Sequence, residues 1–324
     1  MKKNTDILVL CDGSTQTGLG HLSRCLGIAT SLKKISPGIK ILFQGDYNTN
    51  AAQILAHYQM DFCTGTFTID EQPPLSCLIV DKQSPEETQL AKLAGRGHKI
   101  VLIDDFNRID TAPCTLVINF RVGAERYDYS CERTALGMRY FPARPELKTI
   151  RENRIARKHG FINNILISIG GFDHFNIGPK IAQELGTYFR GININLVTNI
   201  IPDDFPVCGN VTVFPLQNSL HDLLQDADFV ISGGGLIKYE CIYCGIPNGC
   251  FNQTEDQQED TEILAKEGLT VNFHAASAYR RLNPDIIGDI EKEAVREDMK
   301  NRMCNLTVSD SAQQLACKIL EICG

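Results

Sequence analysis

Chemistry is concentrated first in the run Asp12-Gly13-Ser14-Thr15-Gln16-Thr17-Gly18-Leu19-Gly20-His21, extended by Arg24. It follows an apolar stretch, Ile7–Leu10, and precedes a helical pattern with Leu22, Leu26, Ala29 and Leu32 on one face, so His21 is expected to open a helix. A histidine there sits in a positive field that disfavours its protonated form, which leaves a neutral imidazole able to take a proton from water or a hydroxyl. Gly18 and Gly20 let the backbone take φ > 0 and approach a ligand closely. A glycine turn carrying a structural histidine fits the same letters, because short glycine patterns recur by chance.

The second half holds two more glycine turns. Gly170-Gly171-Phe172-Asp173 ends one strand-like run, and Ser232-Gly233-Gly234-Gly235 ends another and opens a helix carrying Glu240. Several backbone N–H groups at a helix start make a seat for a diphosphate. Glu240 could accept hydrogen bonds from two ribose hydroxyls, or be a solvated helix charge. Asp256 and Gln257 lie at the start of a later helix, where they could face a ligand; equally, Thr254 and Gln257 match a capping box. The G-x-G-x-x-G fingerprint, the phosphate-binding G-x-x-x-x-G-K-S/T and H-E-x-x-H are all missing, so an NAD enzyme is not expected and no metal cluster is read. Cys241 and Cys244 form a C-x-x-C without the second pair that a structural zinc usually needs.

These groups need strands and helices to hold them. Apolar runs at Ile7–Leu10, Ile41–Phe43, Cys77–Val80, Ile100–Ile103 and Thr115–Ile118 alternate with amphipathic stretches such as Pro85 to Ala94. That is the signature of a parallel sheet covered on both faces. The pattern lapses from Arg121 to Gly160, expected to be a passage between domains. It resumes at Ile165–Ile169, Ile194–Val197, Val211–Phe214, Phe229–Ile231, Gly249–Phe251 and Thr270–Phe273. The expected class is α/β, with two Rossmann-like doubly wound domains, 1–150 and 151–324, facing a cleft. The closing helix, Ser309 to Ile322, is a candidate to pack back on the N-terminal domain. In such sheets ligands bind beyond the C-terminal strand ends, where the glycine turns fall.

Composition bounds the partners. The 324 residues carry a formal net charge of −7, with 43% hydrophobic and 22% charged residues. This balance argues against nucleic acid or an anionic membrane surface. No apolar run approaches a membrane span, no signal-peptide core is visible, and the protein is read as cytoplasmic. The 13 cysteines, many in apolar runs, read as reduced, buried small hydrophobes.

Taken in order, D-G-S-x-Q-x-G-L-G-H-x-x-R, the strand-ending Asp81, I-D-D (Ile103 to Asp105), L-V-I-N (Leu116 to Asn119), L-G-x-x-Y-x-x-x-R-P-E (Leu136 to Glu146), G-G-x-D, S-G-G-G with Glu240, G-I-P (Gly245 to Pro247) and Gln257 with L-A-K-E-G (Leu264 to Gly268) make the chain resemble a family. It resembles the UDP-sugar hydrolases of pseudaminic acid biosynthesis and the related glycosyltransferase-like proteins of spore-coat polysaccharide synthesis, of GT-B fold. The resemblance implies that water displaces UDP from a UDP-linked 2,4-diacetamido-2,4,6-trideoxy sugar, without a cofactor or metal. It implies His21 as base, Gly18 and Gly20 beside the sugar or diphosphate, Ser232 to Gly235 on the diphosphate and Glu240 on the ribose. Asp12 is a candidate to orient His21, or to cap the turn, and Asp256 a candidate catalytic group. Arg24, Asp81, Gln83, Gly170, Gly171, Asp173 and Gln257 complete the expected binding set. Other sugar-biosynthesis enzymes are possible partners. Three positions depart from the family pattern: Cys11 replaces an Arg, Asp81-Lys82-Gln83 stands for Asp-His-Tyr, and Asp256-Gln257 for Asn-Gln. An inverting glycosyltransferase and a non-catalytic nucleotide-sugar binder fit the same motifs.

Overall fold

In the computed structural model, the apolar runs become parallel strands because each can bury both faces. The structure describes residues 6–14, 17–65, 77–83, 85–156, 160–171, 173–199, 201, 205, 209–216 and 219–323. Thr15, Gln16 and Phe172 of the glycine loops lie outside them. The chain divides into two compact units, Met1–Pro145 with Asp310–Gly324, and Glu146–Ser309.

The first unit contains β1 (Ile7–Cys11), α1 (Gly20–Ile35), β2 (Ile41–Gly45), α2 (Thr49–His57), β3 (Asp61–Thr64), β4 (Cys77–Asp81), α3 (Glu87–Gly95), β5 (Ile100–Ile103), β6 (Leu116–Asn119) and β7 (Thr134–Leu136). These strands form one sheet in the order β3-β2-β1-β4-β5-β6-β7, and every pairing is parallel. Strand alternation divides the core. Ile7 and Val9 join the cluster under α1, whereas Leu8 and Leu10 join the cluster under α3. The expected α1 face is buried as Leu22, Leu26, Ala29 and Leu32.

The second unit holds α4 (Pro145–Ile155, entering from the first unit's last residue), β8 (Asn164–Ser168), α5 (Ile177–Tyr188), β9 (Asn193–Val197), β10 (Val211–Phe214), α6 (His221–Asp226), β11 (Phe229–Ser232), α7 (Leu236–Cys244), β12 (Asn248–Asn252), α8 (Glu255–Lys266), β13 (Val271–Ala275), α9 (Pro284–Glu291) and α10 (Glu293–Leu306). Its sheet runs β10-β9-β8-β11-β12-β13, again all parallel. Both sheets reverse direction of winding beside their first strand, between β1 and β4 and between β8 and β11. These are the switch points where doubly wound sheets bind ligands.

The segment Arg121 to Gly160, expected as a passage between domains, contains the point after Pro145 where one unit gives way to the other, and it is regular structure rather than a linker. It supplies β7 to the first sheet and α4 to the second unit. Its arginines made it look like a linker, yet Arg121, Arg144, Arg151 and Arg154 are buried. Arg151, for example, donates to the carbonyls of Tyr243 and Thr307, which supply acceptors that burial would otherwise deny it. The last helix, α11 (Ser311–Cys323), belongs to the first unit, where Leu315, Ala316, Ile319 and Ile322 join the α1 cluster. Among the described residues no helix is long and apolar enough to cross a membrane.

Candidate functional site

At the switch point of the first sheet, β1 and β4 end side by side, with Cys11 level with Asp81. The chain leaving β1 is pinned before it turns. Gly13 N donates to Asp46 O at 2.8 Å, and Asn48 N donates to Gly13 O at 3.1 Å. It then passes through Gly18, whose φ is +71°, and enters α1 at Gly20. His21 therefore stands in the first turn of α1, and Arg24 follows one turn on, on the same face.

Both side chains converge on Asp81. His21 Nδ1 lies 2.6 Å from Asp81 Oδ1. Arg24 donates to both oxygens, Nε to Oδ2 and Nη2 to Oδ1, each at 2.6 Å. Its remaining nitrogen, Nη1, forks onto Asp105 at 3.0 and 2.8 Å. Cys25 adds a thiol donor to Asp81 Oδ2 at 3.4 Å. Asp105 is itself held through its backbone carbonyl, which accepts from Arg121 at 2.5 Å and Asn119 at 3.2 Å.

Asp81 is fully buried. Burial raises its carboxyl, but Arg24 and His21 outweigh it and hold the group below its ordinary value. Burial likewise opposes the charge on Arg24, and Asp105 and Asp81 more than reverse that. An ionised carboxylate only accepts, so Nδ1 of His21 carries a proton, and in the neutral imidazole Nε2 is then the nitrogen with the lone pair. Arg24 Nη2 also approaches Nδ1, at 3.2 Å. A guanidinium cannot accept, so this longer contact gives way to the 2.6 Å bond with Asp81. The arrangement is an oriented imidazole, 18% exposed, backed by a buried anion whose charge is set by two flanking groups.

The carboxylate that orients His21 is thus Asp81; Asp12, expected for that task, is engaged elsewhere. Its Oδ1 accepts from Lys82 Nζ at 2.5 Å and from the Asp46 amide at 2.9 Å. The cause is register: Asp12 lies one residue past the strand pairing that sets Cys11 beside Asp81, on the side facing the β2 loop. Asp81, expected as a binding residue, has both carboxylate oxygens engaged by Arg24, and one of them by His21 as well. Gln83 is exposed two residues beyond it.

In the second unit the turns after β8, β11 and β12 are stitched together. A Cβ on Gly233 would lie 1.9 Å from Ile169 O, and one on Gly234, at φ +67°, would lie 2.6 Å from Asn252 Oδ1. Only glycine fits at either position. Gly235 follows as the N-cap of α7, with no capping side chain and nothing within 4 Å of where its Cβ would be. Gln253 Nε2 donates to Ile169 O at 3.0 Å, and its Oε1 accepts the His174 amide at 3.0 Å, which ties the Gly170-Gly171 turn to the start of α8. Glu240 is buried in α7. The neighbouring Lys238 forms a buried ion pair with Asp260 of α8, at 2.8 Å.

Two further expectations change here. Asp173 accepts the amides of Ile177 at 3.1 Å and Gly178 at 2.7 Å, so its carboxylate caps α5. An acid placed at a diphosphate would also repel it. The Ser232 hydroxyl is fully buried and meets Cys250 Sγ at 3.4 Å, turned toward the next strand. Thr254 does cap α8, accepting from Gln257 N at 3.3 Å, while the Gln257 side chain reaches back to Gln253 N at 2.9 Å. Asp256 stands half-buried in the same first turn. Among the described residues no group of three or more His, Cys, Asp or Glu side chains is set to hold a metal ion.

Sequence reading missed Asp105, Cys25 and Lys82 as members of the first cluster. A doubly wound order sets the ends of β1, β4 and β5 side by side, so the acids that follow or end those strands, Asp12, Asp81 and Asp105, were the available signal.

No protein-family model matches the chain. An uncharacterised protein of Methanocaldococcus jannaschii is 25% identical over 276 residues, or 78% of this chain and 57% of that protein. This chain therefore spans little more than half of that relative. The spore coat polysaccharide biosynthesis protein SpsG of Bacillus subtilis is 24% identical over 288 residues, or 82% of each chain. Among solved structures, the glycotransferase of kitacinnamycin aligns over 98% of both chains, with a TM-score of 0.67 at 13% identity. Acinetobacter baumannii MurG aligns over 98% of this chain and 99% of its own, with a TM-score of 0.65 at 12% identity. The spinosyn rhamnosyltransferase SpnG gives 0.65 at 14% identity, over 98% and 100%. Two parallel-sheet, Rossmann-like α/β units of the kind found in GT-B glycosyltransferase structures make up this chain.

Proposed function

We propose that the protein is a nucleotide-sugar hydrolase, releasing UDP from a UDP-linked, N-acetylated sugar by attack of water at the anomeric carbon. The observation that carries this reading is the His21–Asp81 contact, braced by Arg24 and Asp105. A base must lose no time in the wrong tautomer, and a buried carboxylate on Nδ1 leaves Nε2 to take the proton of the attacking water. The developing charge of the leaving diphosphate needs fixed donors. The Gly233–Gly235 turn and the start of α7 supply backbone N–H groups and a helix N-terminus in the second unit, and Glu240 is the carboxylate for the ribose. Gly18 and Gly20 admit the sugar beside His21. Gln83, Asp256 and Gln257 are the proposed sugar and water contacts.

A second reading, an inverting glycosyltransferase, is favoured by the named role of the Bacillus relative in polysaccharide biosynthesis. The base would serve an acceptor hydroxyl as readily as water. The two separate when UDP-N-acetylated sugars, diacetamido trideoxy compounds included, are incubated in plain buffer and the products weighed by mass spectrometry. Hydrolysis yields UDP and free sugar in stoichiometric amounts. UDP release that appears only on adding an acceptor alcohol would replace the hydrolase with the transferase.

A further inference from the structure

Behind the Gly233–Gly235 turn, the second unit buries a cation. Lys238 stands in the first turn of α7 and is 1% exposed. Its ammonium pairs with Asp260 Oδ2 at 2.8 Å, and Asp260 Oδ1 accepts the Tyr239 hydroxyl at 2.7 Å. That pair already meets the charge requirement of a buried lysine. Lys238 makes a second bond as well, donating to the Thr261 hydroxyl of α8 at 2.9 Å.

The second bond has a direction. An ammonium has donors and no acceptor, so Thr261 Oγ1 accepts from it and must send its own proton elsewhere. The proton goes to Asn252 Oδ1, 2.6 Å away at the end of β12. The other end of the same amide agrees. Asn252 Nδ2 faces three acceptors, Gln258 Oε1 at 2.9 Å, Asn272 Oδ1 at 3.0 Å and the His274 carbonyl at 3.3 Å. Donor and acceptor ends are both assigned, so the buried Asn252 amide has one orientation. Its oxygen is the atom on which Gly234 rests. A Cβ on that glycine, at φ +67°, would come within 2.6 Å of Asn252 Oδ1 and 3.1 Å of Gln257 Oε1.

We propose, resting on the reading of this turn as the diphosphate's seat, that Lys238 and Thr261 are positioning residues for the anion. The ammonium turns the Thr261 hydroxyl toward Asn252. Asn252 in turn holds Gly234 in its left-handed conformation, and with it the amides of Gly233 to Gly235. Donors fixed in advance bind an anion more tightly, because the turn is not ordered at the expense of binding. Asp260 neutralises Lys238 with or without Thr261; the bond to the hydroxyl is what carries the effect of the cation to the turn.

The test separates the hydroxyl from the volume that carries it. Thr261→Val keeps the shape and removes the relay, whereas Thr261→Ser keeps the relay and loses a methyl group. Neither strips a buried charge of its partner, as Lys238→Met would do to Asp260. Hydrogen exchange read by mass spectrometry, without ligand, follows the peptide that contains Gly233 to Gly235, and calorimetry follows UDP binding. Thr261→Val is expected to speed exchange in that peptide by about tenfold, as loss of a buried hydrogen bond allows, and to weaken UDP binding by a similar factor. Peptides from β8 and α5 are expected to keep their wild-type exchange, and Thr261→Ser to stay close to wild type throughout. Equal behaviour of the two variants would overturn the proposal, as would wild-type exchange at the turn in Thr261→Val. A rise spread evenly over β8 and α5 would overturn it too, by marking a general loss of stability. A loosened turn in Thr261→Val, joined to a wild-type protein that does not bind UDP, would overturn the diphosphate assignment and leave the positioning chain standing.

Discussion

Asp81 is the residue on which the first unit's chemistry turns. It carries a full charge out of reach of water and is tolerated there because Arg24 and His21 stand against it. Removing one partner of a buried pair leaves the other uncompensated, so Arg24→Met is expected to destabilise the first unit by about 3–5 kcal/mol, measured by urea unfolding. Asp81→Asn frees the ring of His21 to turn and removes its tautomer control. UDP release is then expected to fall by about 10²–10⁴-fold with little change in UDP affinity, measured by steady-state kinetics beside calorimetry. Folding lowers the Asp81 pKa, so its contribution to stability is complete above its ordinary value of 3.8 and drains away as pH falls below that. The stability gap between wild type and Asp81→Asn should therefore narrow from neutral pH toward strong acid, as urea midpoints across pH will show. His21 and Arg24 stood out in the sequence because they follow the glycine loop at the start of a helical pattern. Their true partner did not, since Asp81 lies sixty residues away from His21 and only strand order brings it near.

Strand ends and the turns that follow them carry the rest. In both sheets the candidate residues stand where winding reverses, and in the second unit Gly233 and Gly234 are there because neighbouring backbone and side chains leave no room for a Cβ. Gly233→Ala would drive a methyl group into the Ile169 carbonyl, 1.9 Å away. The loop must shift, and UDP affinity is expected to fall at least about tenfold, the equivalent of about 1.4 kcal/mol, while His21 and Asp81 are untouched; calorimetric titration with UDP reads it. Element placement was legible wherever a strand buries both faces, as at β1, β4, β5 and β8. It was not at β3, where all four residues of Asp61–Thr64 are exposed, or at β7, three residues long within a polar run. At Asp173 and Ser232 the side chains have work that a glycine turn does not announce: the carboxylate caps α5 and the hydroxyl meets the next strand.

The whole molecule is two units of one architecture, and the chain that leaves the first unit at Pro145 comes back to it for α11. Deleting residues 310–324 would strip Leu315, Ile319 and Ile322 from the α1 cluster, at roughly 1.5–3 kcal/mol for each as an upper estimate. The first unit's melting transition is expected to drop or vanish in calorimetry while the second unit's stays in place. Two similar α/β halves were readable from alternating apolar runs; the return of the last helix was one option among several until its packing decided it. The central proposal is that the protein turns over a nucleotide-sugar with His21 as its base. The deciding experiment compares UDP release and UDP binding side by side for wild type and His21→Ala, with the N-acetylated UDP-sugar that turns over fastest. His21→Ala is expected to bind UDP as wild type does and to lose turnover. Wild-type turnover in that variant, or a wild-type protein that does not bind UDP, would refute the assignment.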